Sequence, residues 1–223
     1  MKTEIKEKDS TSKKDNLKSR AYTYIKGKIL ECVFLPGDFL QENKLMAELN
    51  ISRTPIREAI SALDREGLVK IIPGRGVTVN EIGYQEIYDI FQVRLMVEPS
   101  ILQTNYNKVE KDKMLAFKEA IQGSVENDDT KSQYQIDDNF HAYFIGLCAN
   151  KYLVRLLENI FDQNHRLRVL TGNNANRLLQ SSKEHVNIID ALLKDDVNEA
   201  IEHYIVHIQN SEQSSIKLLR GLF

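Results

Sequence analysis

Cysteine is scarce in this chain. Cys32 and Cys148 are the only two among 223 residues and lie far apart, which excludes both a disulfide framework and a thiolate metal cage. Proline and glycine are few, at four and ten, so neither a collagen-like chain nor a low-complexity linker protein is in play. No apolar run approaches the ~20 residues that a bilayer requires. The opening Met1-Lys-Thr-Glu-Ile-Lys-Glu-Lys-Asp is charged throughout and lacks the apolar core of a signal peptide. These absences predict a soluble cytoplasmic protein with no membrane partner.

A hydrophobic fraction of 42% excludes a wholly disordered chain, and the length suits one large domain or two smaller ones. The formal net charge of −2 conceals an asymmetry. Residues 1–80 carry 15 Lys+Arg against 11 Asp+Glu, and residues 81–223 carry 15 against 21. A polyanionic partner therefore belongs to the front half. All four prolines, Pro36, Pro55, Pro73 and Pro99, fall in the first 99 residues, which leaves the remainder free to form long helices.

The expected organisation is mainly α: a disordered polar tail over residues 1–15, a winged helix-turn-helix over 16–80, and an all-helical bundle over 81–223. Apolar residues at Leu17, Tyr24, Ile25, Ile29 and Val33 mark a first helix. Pro36-Gly37 ends it, and Glu42 to Leu49 forms a short second helix with Leu45, Met46 and Leu49 inward. A third helix opens near Ser52, where Ser52 or Thr54 can cap it and Pro55 suits the first turn, and closes at Gly67. The β-branched runs Leu68–Ile72 and Gly76–Val79 flank Pro73-Gly-Arg-Gly, a hairpin pattern. Six further helices are expected at 84–106, 110–126, 130–148, 151–171, 176–194 and 196–220, with one break at Gly172-Asn173-Asn174.

In a helix-turn-helix the second helix of the motif lies in the major groove and its first residues reach base edges. Arg53 and Arg57 are four residues apart and share one helix face, and a guanidinium pairs bidentately with guanine O6 and N7. Ser52, Thr54 and the first-turn N–H groups suit phosphate oxygens, as does Lys44. Arg75, between Gly74 and Gly76 at the hairpin tip, suits the minor groove or a phosphate. The competing reading is a solvated arginine face paired with Glu58 or Asp64.

The stretch Pro36-Gly-Asp, Glu42, Leu45-Met-Ala-Glu-Leu, Ile51-Ser-Arg-Thr-Pro-Ile-Arg-Glu-Ala-Ile, Leu63-Asp-Arg-Glu-Gly-Leu-Val and Gly74-Arg-Gly resembles the DNA-binding domain of GntR-type bacterial transcription regulators. The resemblance implies a homodimer on a palindromic operator, with Arg53, Arg57 and the wing tip on the DNA. Asn43 stands where some members carry an arginine, which departs from the pattern.

All five histidines lie in the second half: His141, His165, His185, His203 and His207. Asp137 and His141 are one helical turn apart and share a face. Together with His185 and His207, they could bring one carboxylate and three imidazoles from three helices into a bundle. Such an N₃O set suits zinc, nickel or manganese. The competing reading is that each histidine is a surface or satisfied core residue, and His203-x-x-x-His207 could chelate alone. Asp137-Asp-Asn-Phe-His141, Glu184-His185, Ile188, Ala191-Leu-Leu-Lys-Asp-Asp, Ala200 and His207, with Val93-Arg94 and Glu98-Pro99 before them, resemble the FCD ligand-binding domain of the FadR-type branch. The resemblance implies metal ligation by Asp137, His141, His185 and His207, with zinc first and nickel or manganese next.

Arg94 lies among Ile90, Phe91, Val93, Leu95 and Val97, where an unpaired guanidinium is costly. It is read either as a buried ion pair with Glu98 or as a clamp for the carboxylate of a small organic-acid effector, which the resemblance favours. The expected function is a transcription regulator, a repressor in preference to an activator, controlled by such an effector at the metal. The alternative is a metal-dependent hydrolase with an accessory DNA-binding head, for which Glu184 is the one candidate general base.

Overall fold

In the computed structural model, residues 3–171 and 174–220 are described, with side chains from residue 16 onward. The chain divides into two units, Met1–Ile82 and Gly83–Phe223. The first contains α1 (Thr3–Leu30), β1 (Phe39–Leu40), α2 (Glu42–Leu49), α3 (Arg53–Arg65), β2 (Val69–Ile72) and β3 (Gly76–Val79). The three strands form an antiparallel sheet in the order β1-β3-β2. The second contains α4 (Tyr84–Asn105), a 3₁₀ turn, α5 (Lys111–Glu126), α6 (Thr130–Gly146), α7 (Lys151–Leu170), α8 (Ala175–Leu193) and α9 (Val197–Arg220). The architecture is thus mainly helical, a winged helix-turn-helix followed by a helical bundle.

Apolar spacing explains the head. Ala21, Ile25 and Ile29 form the buried stripe of α1, and they pack with Leu45 and Leu49 of α2 and Ile56, Ala59, Ile60 and Leu63 of α3. Val69, Val77 and Val79 seat the sheet on the same core. Asn50 ends α2 in the left-handed conformation (φ 52°), which turns the chain into α3. Four particulars differ from the sequence reading. Val33 lies beyond α1 and is 56% exposed, because the helix stops before the Pro36-Gly37 turn. Met46 is only partly buried. Strand β1 was not foreseen, since two residues are too short to show alternation. Helix α1 starts at Thr3, so residues 3–15 are helical backbone where a disordered tail was expected; the side chains of that stretch and residues 1–2 lie outside the described residues.

The bundle follows the same rule with longer helices. Helix α9 packs on α8 and α4, and α8 packs on α5 and α6. Its buried apolar residues include Phe91, Phe140, Phe144, Ile188, Ile189 and Ile208. Each helix boundary lies close to its expected position, and of the expected break at 172–174, Gly172 and Asn173 fall outside the described residues. Interrupting the apolar interior is a set of buried polar side chains: Arg94, Glu98, His141, Asn164, His185 and His207. Buried polar groups are retained where they satisfy one another or bind something. They direct attention to the bundle interior.

Candidate DNA interface and metal centre

On the head, Ser52 occupies the position before α3 in extended conformation and makes no side-chain cap hydrogen bond, which leaves the first-turn N–H groups uncapped. Arg53, Thr54 and Arg57 on α3, Lys44 on α2 and Ser52 just before α3 are all exposed. The arginine partners differ from the expected Glu58 and Asp64. Arg57 donates Nε to both oxygens of Glu42 at 3.0 Å, and Arg53 donates Nη2 to Asn43 Oδ1 at 3.0 Å. Asp64 instead accepts from the Ile71 backbone N–H. At the wing tip, Gly74 (φ 72°) and Gly76 (φ 114°) both hold conformations that suit glycine, and they present Arg75 to solvent between them.

In the bundle, α6, α8 and α9 each contribute an imidazole. The ligand-capable nitrogens of His141, His185 and His207 all lie within 4.8 Å of one another. His141 Nε2 is 3.1 Å from His207 Nε2, which is 3.4 Å from His185 Nε2. The outward nitrogens are held by acids. His141 Nδ1 lies 3.0 Å from Glu98 Oε2, and His207 Nδ1 lies 2.8 Å from Glu184 Oε2. A carboxylate on Nδ1 fixes the tautomer with the proton there, so the Nε2 lone pairs of His141 and His207 point at each other. His185 is oriented differently, by stacking on Phe140 with ring centroids 4.3 Å apart.

The electrostatics agree with that tautomer. Burial works against a charged Glu98, but Arg94 and His141 outweigh it and hold the carboxyl down at about 2. Burial likewise opposes a charged Glu184, and His207 and Arg177 bring it to about 2. Burial pushes His207 down to about 4 and His185 well below the usual imidazole range, so both are neutral donors at neutral pH. Tyr204, raised by burial and by Glu98, stays protonated and donates to Glu98 Oε2 at 2.9 Å.

Asp137 stands beside the three imidazoles, its Oδ1 3.7 Å from His185 Nε2. Ser181 donates to Oδ1 and Arg168 to Oδ2, both at 2.8 Å. Burial disfavours its charge, but His185, Arg168 and the other imidazoles hold the carboxyl far below its ordinary range. Three buried imidazoles, those of His185 and His207 neutral, with an ionised carboxylate at their side form a donor set that fits a divalent transition metal. His203 is elsewhere, paired with Glu199 at 3.7 Å on the surface. His165 contacts Arg168 at the edge of the site.

The two readings of Arg94 are both realised in part. Its Nε donates to Glu98 Oε1 at 2.6 Å, yet its buried Nη2 has no hydrogen-bond partner among the described residues. Arg94 lines a partly open cavity of about 70 Å³ with Asp137, His141, His207, Asn164 and Arg168. Glu184, the candidate base of the hydrolase alternative, is committed to His207 and Arg177. Sequence reasoning missed Glu98 and Tyr204 as partners of His141, and Arg168 as a partner of Asp137. The Glu98 carboxyl amid apolar residues was the one available signal.

A winged helix-turn-helix joined to a helical domain with a buried three-histidine centre defines a DNA-binding transcription regulator with a ligand-binding domain. Comparison with known proteins specifies it further. Residues 89–210 match the FCD domain, and residues 17–79 match the family described as bacterial regulatory proteins, gntR family. The chain belongs to the GntR family, in its FCD-containing, FadR-like branch; these are transcription regulators, not enzymes. It is 24% identical over 197 residues to the HTH-type transcriptional repressor RspR of Escherichia coli K12, covering 86% of each chain. The crystal structure of a GntR regulator from Rhodococcus sp. RHA1 superposes with a TM-score of 0.76 at 18% identity, over 90% of this chain and 97% of that one. The Zn²⁺-bound FCD domain of TM0439 matches with a TM-score of 0.54 at 25% identity, over 63% of this chain and 98% of that one.

Proposed function

We propose that this regulator is a cytoplasmic homodimeric repressor that binds a palindromic operator and responds to a small carboxylate bound at a metal in its FCD domain. The observation that carries the metal is the 3.1 Å approach of two Nε2 atoms whose rings each face a carboxylate through Nδ1. Two lone pairs at that distance repel, and a cation between them removes the repulsion. Asp137, His141, His185 and His207 would hold the ion, zinc first and nickel or manganese as alternatives. Such an ion supplies a positive, Lewis-acidic centre that attracts a carboxylate. Zinc in the FCD domain of TM0439 supports the assignment.

Arg94 supports the effector class. Arg94 lines the same cavity and its buried Nη2 is unpartnered among the described residues, and a guanidinium buried with a free N–H favours an anion. The DNA side is assigned to Arg53 and Arg57 as base readers, with Lys44, Ser52, Thr54, Gly74 and Arg75 on the backbone or minor groove. The repressor sense follows the name of the relative RspR. The test is elemental analysis of protein purified without added chelator, followed by operator titration with and without small carboxylates. About one equivalent of metal per chain and a carboxylate-dependent loss of operator affinity are expected. A metal that is present while every carboxylate leaves DNA affinity unchanged would make the centre structural and defeat the sensory reading.

A further inference from the structure

Glu42 sits at the start of α2, and its carboxylate reaches both arginines assigned above to base reading; the inference rests on that assignment. Arg57 places Nε 3.0 Å from each Glu42 oxygen, and Arg53 Nε lies 3.6 Å from Oε2. Asn43, the next residue, accepts from Arg53 Nη2 at 3.0 Å. The Glu42 side chain is 24% exposed, against 54% and 61% for Arg53 and Arg57. It is anchored, because α2 packs on α3 through the buried Leu45 and Leu49. An acid in that place therefore holds a fixed position relative to the first turn of α3.

A guanidinium has more than one hydrogen-bonding edge, and the choice of edge decides what remains for DNA. Glu42 takes Arg57 by Nε alone, so Nη1 and Nη2 have no partner among the described residues. Those two nitrogens form the fork that spans guanine O6 and N7. The same carboxylate lies on the DNA-facing side of the head, where its charge opposes phosphate. One residue thus exerts two effects of opposite sign, on base discrimination and on general affinity.

We propose that Glu42 is a positioning residue that orients Arg53 and Arg57 and thereby sets operator specificity while lowering sequence-independent binding. The experiment is selection of sites by the full-length protein from a randomised duplex library. Titration of the selected duplex and of a scrambled duplex follows at one fixed salt concentration. For Glu42→Gln, the ratio of specific to scrambled affinity is expected to fall about fivefold, the upper range for an exposed ion pair. Affinity for the scrambled duplex is expected to rise, because a negative charge has left the interface. The base pairs that lose definition should be those lost in Arg57→Ala. Glu42→Asp keeps the charge and the helix-start preference but withdraws the carboxylate, and it should lose discrimination as the Gln variant does.

Three results overturn the proposal. An unchanged motif and ratio in Glu42→Gln would leave Glu42 without a role in reading. An equal rise for both duplexes would make it only a competing charge. Full discrimination in Glu42→Asp would reduce it to stabilising the start of α2. Failure of the wild-type protein to select any motif would instead bring down the base-reading assignment of Arg53 and Arg57 themselves.

Discussion

Each imidazole of the triad is fixed by a different neighbour, and that makes single substitutions informative. His185 is stacked on Phe140, and its acidic neighbour Asp137 is also held by Ser181 and Arg168, so His185→Ala removes a proposed ligand while leaving that acid two partners. Metal content by elemental analysis should fall well below one equivalent in that variant, and full occupancy would exclude His185 as a ligand. Glu98→Gln tests the orienting acids. It leaves the ligand set intact but weakens the hold on His141 Nδ1, and metal affinity should drop about 10–100-fold in a competition titration with a chromogenic chelator. Arg94 gives the third test at this scale. Arg94→Lys keeps a charge but not the forked geometry, and carboxylate-induced thermal stabilisation should disappear while metal content stays constant. On the head, Arg57→Ala should reduce operator affinity by about 1–3 kcal/mol in a band-shift titration at fixed salt and leave the circular dichroism spectrum unchanged.

The wing tip shows what an element needs beyond its individual contacts. A Cβ on Gly76 would meet nothing within 4 Å, so the cost of Gly76→Ala is purely conformational, set by a φ of 114°. About 1–2 kcal/mol of local strain is expected. Operator affinity should fall, while the unfolding of residues 83–223 by denaturant remains unaffected. The periodic elements were legible in the sequence because periodicity reports burial: Ile56, Ala59, Ile60 and Leu63 spell out the inner face of α3, and all are buried. Strand β1 was not legible, because Phe39 and Leu40 derive their structure from pairing with Val77 and Thr78 rather than from any local pattern. The site divides in the same way. The Asp137–His141 spacing announced a shared helix face. The partners of His141, by contrast, lie 43 and 63 residues away at Glu98 and Tyr204, and no local rule connects them. The family resemblance supplied the set of ligands; it did not supply the acids behind them.

At the scale of the whole molecule, the two units have separate cores, and the proposed DNA and metal sites fall on different units. Removal of metal should therefore lower the thermal midpoint of the FCD unit selectively, because only the unit that binds a ligand is stabilised by it. With metal at about a hundredfold above its dissociation constant, that stabilisation is about 2.7 kcal/mol, readable as a shift of one calorimetric transition and not the other. Leu63→Ala provides the reciprocal control. Leu63 is fully buried in the head, and its truncation should cost about 2–5 kcal/mol there while metal content and carboxylate response stay as in the wild type.

The division at Ile82 and Gly83 leaves the described core of the head on one continuous stretch of chain and the three-histidine cluster on the other. Neither part is threaded through the other. A single crossover in the coding sequence at that point would carry one complete reader or one complete receptor to a new companion. On the proposed function, such an exchange changes the signal without rebuilding the DNA-reading surface. For the same reason, a hybrid joined at this position is the natural vehicle for reporting an unknown effector through a known operator.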